Sequence, residues 1–539
     1  MSKYEFKREP WEHQRLALQI SWDKPFFAYL MEYGTGKTFV VINNVALLFE
    51  KGLIDALLII APNEVHDRWV SEQIPLHLPD RYKYIARVWT GENTKKFKQS
   101  LEDFWDKKNE NLLKIFSVNV EALQSSERAR NFCKNFIKAF LTYATVDEST
   151  RIKTPGAKRT RFIVNNISKK AAYRRILTGN EITRSPFDVY SPYQFLKNTF
   201  WHPIPNFHVF KHRYGVWKKN YKHVKSVKVD WNCSDCKKNI SSISLKNLSS
   251  NIFPCCPECG YVFKENELPK KAKKLVESGA KFEYPTLLEY KNIEELRDKT
   301  NTCSIVIRKK DCMDLPEKIY TPLYTQLNEE QTRLYQELKT TLMMEYQGEI
   351  ISVINKLAMT VRFQQIVGGF FPETKEQIGE TNPKIERLLY DLEDIDSDSP
   401  IIIWAVFVPE LKAIYTRLRR EYDGGMTLYY GETPKKERKD IINNFQDGKY
   451  KFFIANPTTG GTGLNLQKSH MHYYFSNSYK AEDRWQSEDR SHRGGQRNPC
   501  TYKDILIKGT VDDSLMASIA EKKNFAEFFK EKDFFSKII

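Results

Sequence analysis

Near the start of this 539-residue chain, the apolar run Phe26-Phe27-Ala28-Tyr29-Leu30 leads into Met31-Glu32-Tyr33-Gly34-Thr35-Gly36-Lys37-Thr38 and then into Phe39-Val40-Val41-Ile42. A strand that breaks at glycines and resumes as an apolar helix belongs in a parallel α/β sheet. The glycines let successive backbone N–H groups curl around phosphate oxygens, and the helix N-terminus adds partial positive charge. On this reading Gly34, Thr35 and Gly36 cradle a triphosphate, Lys37 reaches its β- and γ-phosphates, and Thr38 holds Mg²⁺. The full phosphate-loop pattern asks for glycine at position 31, where the chain has methionine, so an ordinary glycine turn is the alternative this segment leaves open.

Strand-like runs followed by helical patterns recur in two regions. In the first, Phe26 to Leu30, Ala56 to Ile60, Leu113 to Val118 and Leu141 to Val146 are expected strands; in the second they are Ile401 to Val408, Thr427 to Tyr430, Phe452 to Ala455 and His472 to Phe475. The run from Leu141 ends in Asp147-Glu148-Ser149-Thr150. Adjacent carboxylates after a buried strand repel each other unless a cation or proton joins them. In a Mg-ATP site Asp147 serves the metal and Glu148 polarises the attacking water; solvated acids at a strand end are the bland alternative.

The longest unbroken apolar run, Ile401 to Val408, is far short of the roughly 18 to 20 residues that span a bilayer. The N-terminus carries no secretory-type apolar stretch, so the chain is expected in a reducing cytoplasm with its nine cysteines as thiols or metal ligands. Net charge is +17. Between Trp201 and Leu275 there are 15 basic and 5 acidic residues, so more than half the excess sits in a seventh of the chain. Such a concentrated positive field suits a nucleic-acid partner.

Within that segment, Cys233-Ser234-Asp235-Cys236 and Cys256-Pro257-Glu258-Cys259 form two C-x-x-C knuckles. Their spacing fits a four-thiolate structural Zn²⁺ site, with Cys255 as a competing ligand. Lys211, Lys218, Lys219, Lys222, Lys225, Lys228, Lys270, Lys271, Lys273 and Lys274 surround it, interleaved with Tyr214, Trp217, Tyr221 and Trp231. This composition is expected to face a DNA backbone; a rigid spacer is the alternative. Cys133, Cys303, Cys312 and Cys500 have no partner spacing and read as core residues. Phe525, Phe528, Phe529, Phe534 and Phe535 form a stripe expected to pack on the second region.

Ala481 to Arg493 reads as a helix with Gln486, Arg490 and Arg493 on one face, either a salt-bridged surface helix or a pair of arginines offered to a γ-phosphate. Upstream, Thr459 to Leu466 carries three glycines that permit close approach to a phosphate chain.

With these segments in order, the chain resembles the Swi/Snf-like ATPases of the superfamily-two helicases. Pro10-Trp11-Glu12-His13-Gln14 resembles the adenine-recognising Q motif, with Gln14 its glutamine. Glu32 to Thr38 is similar to motif I, Ala61-Pro62 to Ia, and Ser117 to Glu121 stands in the place of Ib. Asp147-Glu148 with Arg151-Ile152-Lys153 resembles motif II and Leu177-Thr178-Gly179 motif III. Thr459 to Leu466, with Gly463 at the nucleotide, resembles motif V, and Gln486 to Gln496 motif VI. Ser149-Thr150 and Asn180-Glu181 depart from the family's usual Ala-His and Thr-Pro, in the part that couples hydrolysis to domain motion.

The resemblance implies an α/β protein of two RecA-like parallel-sheet lobes with a helical middle region and an inserted zinc ribbon. Lobe 1 is expected over 1–200, the basic insertion over 201–315 with its ribbon near 230–262, a strand entering lobe 2 and a helical protrusion over 316–398, and lobe 2 with a C-terminal helix over 399–539. It implies ATP, Mg²⁺ and Zn²⁺ as cofactors and an ATP-dependent translocase or helicase gripping duplex, forked or branched DNA. Lys37, Asp147, Glu148, Arg490 and Arg493 are then catalytic, and Gln14, Gly34, Thr35, Gly36, Thr38, Gly463 and Gln486 hold nucleotide. The size suggests a compact bacterial or phage enzyme with no membrane partner. An RNA helicase with the same lobes and a non-catalytic zinc-dependent DNA-binding scaffold remain as rivals.

Overall fold

The computed structural model describes residues 4–63, 65–179, 185–223, 226–245, 254–259, 261–264, 267–269, 272–273, 276, 281–348, 353–395, 400–460 and 464–530. Six strands open the chain: β1 (Phe26–Met31), β2 (Ala56–Ala61), β3 (Tyr84–Val88), β4 (Leu113–Asn119), β5 (Thr142–Asp147) and β6 (Tyr173–Thr178). Four belong to an insertion: β7 (Gly215–His223), β8 (Ser226–Asn232), β9 (Asn239–Ser244) and β10 (Lys281–Tyr290). Then come β11 (Ser304–Ile307), β12 (Lys318–Thr325), β13 (Ile401–Trp404), β14 (Met426–Tyr429), β15 (Phe452–Ala455), β16 (Met471–Tyr474) and β17 (Cys500–Ile507).

The first lobe is a seven-stranded parallel sheet in the order β11-β1-β6-β5-β2-β4-β3. Its central strands are continuous apolar runs because helices cover both faces; all six residues of β2 are buried. The second lobe is a six-stranded parallel sheet, β12-β17-β16-β13-β15-β14. Both lobes and the helices between them belong to one compact unit, 1–207 with 295–539, and residues 208–294 form a second. Among the described residues no helix is long and apolar enough to cross a membrane.

Three expectations need correction. The insertion does not extend to 315: helix Ile293–Asn301 leads into β11, which pairs with β1 from Ala28↔Ser304 to Met31↔Ile307 and closes the first sheet. A four-residue edge strand gives too short a run to read as lobe 1. The run Ile401 to Val408 is not one strand. β13 stops at Trp404, the Val406 N–H bonds to Ser476 Oγ, and a helix starts at Val408 with Pro409 in its first turn and the Glu410 carboxylate accepting from the Phe407 N–H. Helix Ala481–Glu488 ends before Arg490 and Arg493, which lie on the following turns rather than on a continuous helical face.

β6 escaped the sequence reading because it begins Tyr-Arg-Arg. Arg175 is nevertheless fully buried, its guanidinium donating to Ser21 O at 2.8 Å and Asn44 Oδ1 at 3.0 Å and lying 5.2 Å from the Tyr143 ring centroid. Nη1 also donates to Arg174 O at 3.0 Å, and bonds from both terminal nitrogens make that burial tolerable. The helical stretch after β12 comprises Glu329–Gly348, Val353–Val367 and Pro383–Glu393. The C-terminal helix runs Val511–Lys530; the side chains of Phe525, Phe528 and Phe529, and all of Phe534 and Phe535, lie outside what is described.

Behind the second sheet Arg484 anchors a buried ionic cluster. Its guanidinium donates to Glu488 at 2.7 Å and to Asp504 Oδ2 at 3.0 Å, and stacks 3.5 Å from the Tyr474 ring centroid. Burial alone would raise the Glu488 pKa, but Lys318 and Arg484 hold it at about 2. Glu488 therefore contributes stability above the ordinary carboxylate range that is lost as pH falls toward 2. Replacing Arg484 with methionine leaves buried Asp504 without its cation and Glu488 with Lys318 alone, and a loss of about 3–5 kcal/mol is expected, read as a lower urea midpoint.

Candidate functional site

β1 ends at Met31, and the chain passes through Gly34 and Gly36 at φ of +84° and +86° before helix Lys37–Glu50 begins. These left-handed positions favour glycine and turn the backbone into a concave loop of N–H groups. Gly36 is required twice over: a Cβ there would lie 2.1 Å from Gln14 Nε2. Gln14 donates that amide to Thr35 O at 3.0 Å and its Oε1 accepts from the Trp11 N–H at 3.1 Å, while His13 bonds the same Thr35 carbonyl at 2.8 Å. The Q-motif residues thus brace the loop from behind. A cavity of about 760 Å³ lined by Trp11, His13, Leu16, Cys312 and Met313 opens beside them.

Lys37 Nζ donates to Met31 O at 2.7 Å, and burial lowers its pKa against the pull of Glu148 and Asp147. Thr38 stands beside it on the first helical turn. Asp147 ends β5 and is bonded by Trp69 Nε1 at 2.9 Å; Glu148 follows in a left-handed conformation at φ 51°. Burial raises both carboxyl pKa values, and for Glu148 the charge of Asp147 adds to it. Two crowded carboxylates are a donor type that suits a hard divalent cation, which Asp147 would hold together with the Thr38 hydroxyl.

The second lobe presents its motif residues to this loop. Gln486 Nε2 donates to the Tyr33 hydroxyl at 3.0 Å, the Arg490 guanidinium lies 5.9 Å from the Tyr33 ring centroid, and a Cβ on Gly34 would meet Arg493 Cβ at 3.5 Å. Leu464 O accepts from Arg490 at 3.5 Å and Arg493 at 3.4 Å, so the segment resembling motif V holds the arginines in place. Burial and neighbouring Arg493 push the Arg490 pKa down to about 10. Gly463 lies outside the described residues, as do Asn180 and Glu181.

Lys309, just after β11, ties the lobes together: its N–H bonds Glu32 Oε2 at 3.0 Å, and its ammonium bonds Asp489 at 2.7 Å and His492 O at 2.6 Å. Lys153 lies 3.6 Å from both Asp188 of the first lobe and Glu482 of the second.

The insertion forms its own small core of Cys233, Ile240, Ile243, Leu245, Cys256, Phe263 and Leu268. β7 pairs antiparallel with β10, and β8 with β9. The sulfurs of Cys233, Cys236, Cys256 and Cys259 all lie within 4.8 Å of one another, with Cys233–Cys259 and Cys236–Cys256 at 3.9 Å. Tetrahedral zinc with sulfurs at about 2.3 Å sets a sulfur separation of about 3.8 Å, so the cage fits that ion. Cys255 is exposed and bridges Val262 through its backbone instead, which leaves Cys256 as the ligand of that pair. Of the interleaved aromatics, Tyr214 is buried, Trp217 bonds Lys211 O, and Trp231 packs on Phe263; Tyr221 is exposed beside Lys218 and Lys219. Lys225, Lys270, Lys271 and Lys274 lie outside the described residues.

A family profile described as the SNF2-related domain matches residues 30–367, more than half the chain, and one described as the Helicase conserved C-terminal domain matches 383–495. The chain belongs to the SNF2-related family. An "Uncharacterized ATP-dependent helicase" of Mycoplasma pneumoniae is 26% identical over 222 residues, 40% of this chain and 21% of that protein. A Caenorhabditis elegans "SWI/SNF-related matrix-associated actin-dependent regulator of chromatin subfamily A containing DEAD/H box 1 homolog" is 22% identical over 511 residues, 91% of this chain and 48% of that protein. Among solved structures, a Sulfolobus solfataricus SWI2/SNF2 ATPase core in complex with dsDNA aligns with 99% of this chain and 95% of that one, at 19% identity and a TM-score of 0.38. This SNF2-related chain spans about a fifth to a half of the length of these curated relatives.

Sequence reasoning missed Tyr33, Trp69 and Lys309. Tyr33 is a position that the loop pattern leaves unspecified, and Trp69 carries no motif. Lys309 sits in Arg308-Lys309-Lys310, which composition assigned to the basic insertion.

The thiolate cage yields a direct prediction. Purified protein should carry one zinc per chain, and Cys256→Ser should lose it, with the insertion, whose folding the metal supports by on the order of 10 kcal/mol, becoming protease-sensitive; metal analysis and limited proteolysis check this.

Proposed function

We propose that this chain is a nucleic-acid-stimulated ATPase that converts ATP turnover into movement along duplex or branched DNA. The observation that carries this reading is the meeting of the glycine loop with Gln486, Arg490 and Arg493 of the second lobe across Tyr33. A triphosphate seated on the loop would lie between Lys37 and the two arginines, so its negative charge would draw the lobes together and its loss would release them. The cavity beside Trp11 and His13 is the place for the adenine.

The roles follow from position. Gly34 and Gly36 orient backbone N–H groups on the phosphates, and Lys37 supplies charge to the β- and γ-oxygens. Glu148 orients the attacking water and accepts its proton, a role matched to a carboxyl whose pKa burial has raised. Arg490 and Arg493 stabilise charge developing on the transferred group. Magnesium, when bound by Thr38 and Asp147, neutralises phosphate charge. In the inserted unit, exposed Lys218, Lys219 and Tyr221 on β7 suit a sugar-phosphate backbone, which carries no sequence information. Branch migration and fork remodelling are the finer form of this activity.

Lys37→Ala and Glu148→Gln should each lower DNA-stimulated turnover by on the order of 10² to 10⁴ while DNA binding persists. Turnover across plain duplex, forks, four-way junctions, single strands and RNA discriminates the rivals: highest stimulation by RNA favours the RNA helicase, and no turnover on any of them favours a scaffold. Replacing Lys218 and Lys219 with Ala should reduce the slope of log affinity against log salt by up to about 2 if both meet phosphates; an unchanged slope makes the insertion a spacer.

A further inference from the structure

Tyr33 stands at the centre of the candidate site, yet none of the roles above uses it. Its hydroxyl donates to Glu148 Oε2 at 3.2 Å and accepts from Gln486 Nε2 at 3.0 Å, so one oxygen joins the two lobes. The ring is confined on several sides. Lys37 Nζ lies 4.9 Å from its centroid on the first lobe and the Arg490 guanidinium 5.9 Å on the second. Gly179 packs so closely that a Cβ there would fall 2.7 Å from Tyr33 Cε2. Any larger residue at 179 would push the ring, and its hydroxyl, out of line. That glycine belongs to the segment resembling motif III.

Glu148 needs such a support. Its φ of 51° lies in the left-handed region, unusual for a residue with a side chain, and its backbone N–H is turned onto Asp147 Oδ1 at 3.0 Å. A non-glycine residue held there is maintained by its surroundings rather than by local preference. The carboxylate itself is bonded from the side, by the tyrosine.

We propose that Tyr33 is a positioning residue that aims the Glu148 carboxylate only while Gln486 of the second lobe holds the tyrosine hydroxyl, making the orientation of the water-polarising group depend on lobe closure. The proposal rests on the ATPase reading. Separation of the lobes removes Gln486 and its bond to the hydroxyl, so the oxygen that bonds Glu148 loses its second anchor. Uncoupled hydrolysis is thereby suppressed when the second lobe is away, with the tyrosine as the element both lobes bias.

Tyr33→Phe keeps the ring, its contact with Gly179 and both cation contacts, and deletes only the two hydrogen bonds. The expected result is a fall of about tenfold in kcat for DNA-stimulated hydrolysis, with KM for ATP within about twofold of wild type, since one hydrogen bond to a charged group is at stake and the phosphate cradle is intact. Gln486→Met should produce a similar fall in kcat. The double variant should be no slower than Tyr33→Phe alone by more than about twofold, because both substitutions break the same link. Wild-type kcat in Tyr33→Phe, a change confined to KM, or multiplicative losses in the double variant would each overturn the inference while leaving the ATPase reading in place. A wild-type chain without turnover on any nucleic acid overturns both.

Discussion

Two lobes meeting across one glycine loop is the arrangement on which the other features depend. The contact is polar and charged rather than apolar. Lys309 reaches from the end of β11 to Asp489 and the His492 carbonyl, Gln486 reaches Tyr33, and Lys153 lies between Asp188 and Glu482. Polar interfaces of this kind can open and reclose, because each group can be rehydrated when the lobes part. The lobes themselves are closed by apolar sheets that resist such exchange. Rigid bodies joined by a replaceable polar seam are what a cleft needs if its occupant is to drive motion.

The charged groups of the cleft are crowded together and withdrawn from water. Lys37, Arg490 and Arg493 are withdrawn from water, with pKa values lowered by burial, while Asp147 and Glu148 are raised by it. Cations and carboxylates thus stand close in one partly dry volume without pairing as intimately as Arg484 does with Asp504 and Glu488. The latter cluster is satisfied and structural. The former is crowded with charge, and its cations are held by backbone carbonyls, Lys37 by Met31 O and Arg490 by Gln486 O.

Much of the fold was legible. Buried parallel strands announce themselves as apolar runs, so β1, β2, β4, β5 and β15 were readable, and the thiolate spacing pointed to the cage that the four sulfurs form. The reading failed where a strand is polar or short. β6 carries one buried arginine, Arg175, beside half-buried Arg174, β11 has four residues at a sheet edge, and β3 begins with exposed Tyr84. It overextended β13 because apolar residues continue past the strand into a helix cap. It treated Gln486, Arg490 and Arg493 as one helical face, whereas turns after Glu488, pinned by Leu464 O, bring the arginines to the loop.

The amino-acid sequence by itself determined the local chemistry along the chain: a glycine loop with its lysine, a carboxylate pair after a strand, paired arginines, and four cysteines at zinc spacing. These are local patterns, set by residue types a few positions apart. Tertiary structure alone decided that Tyr33 lies between Glu148 and Gln486, and that Lys309 belongs to the cleft. Such contacts join residues 115 to 453 positions apart, and no local spacing encodes them. The first arises because β1 and β5 lie in one sheet, the others because the two sheets come together.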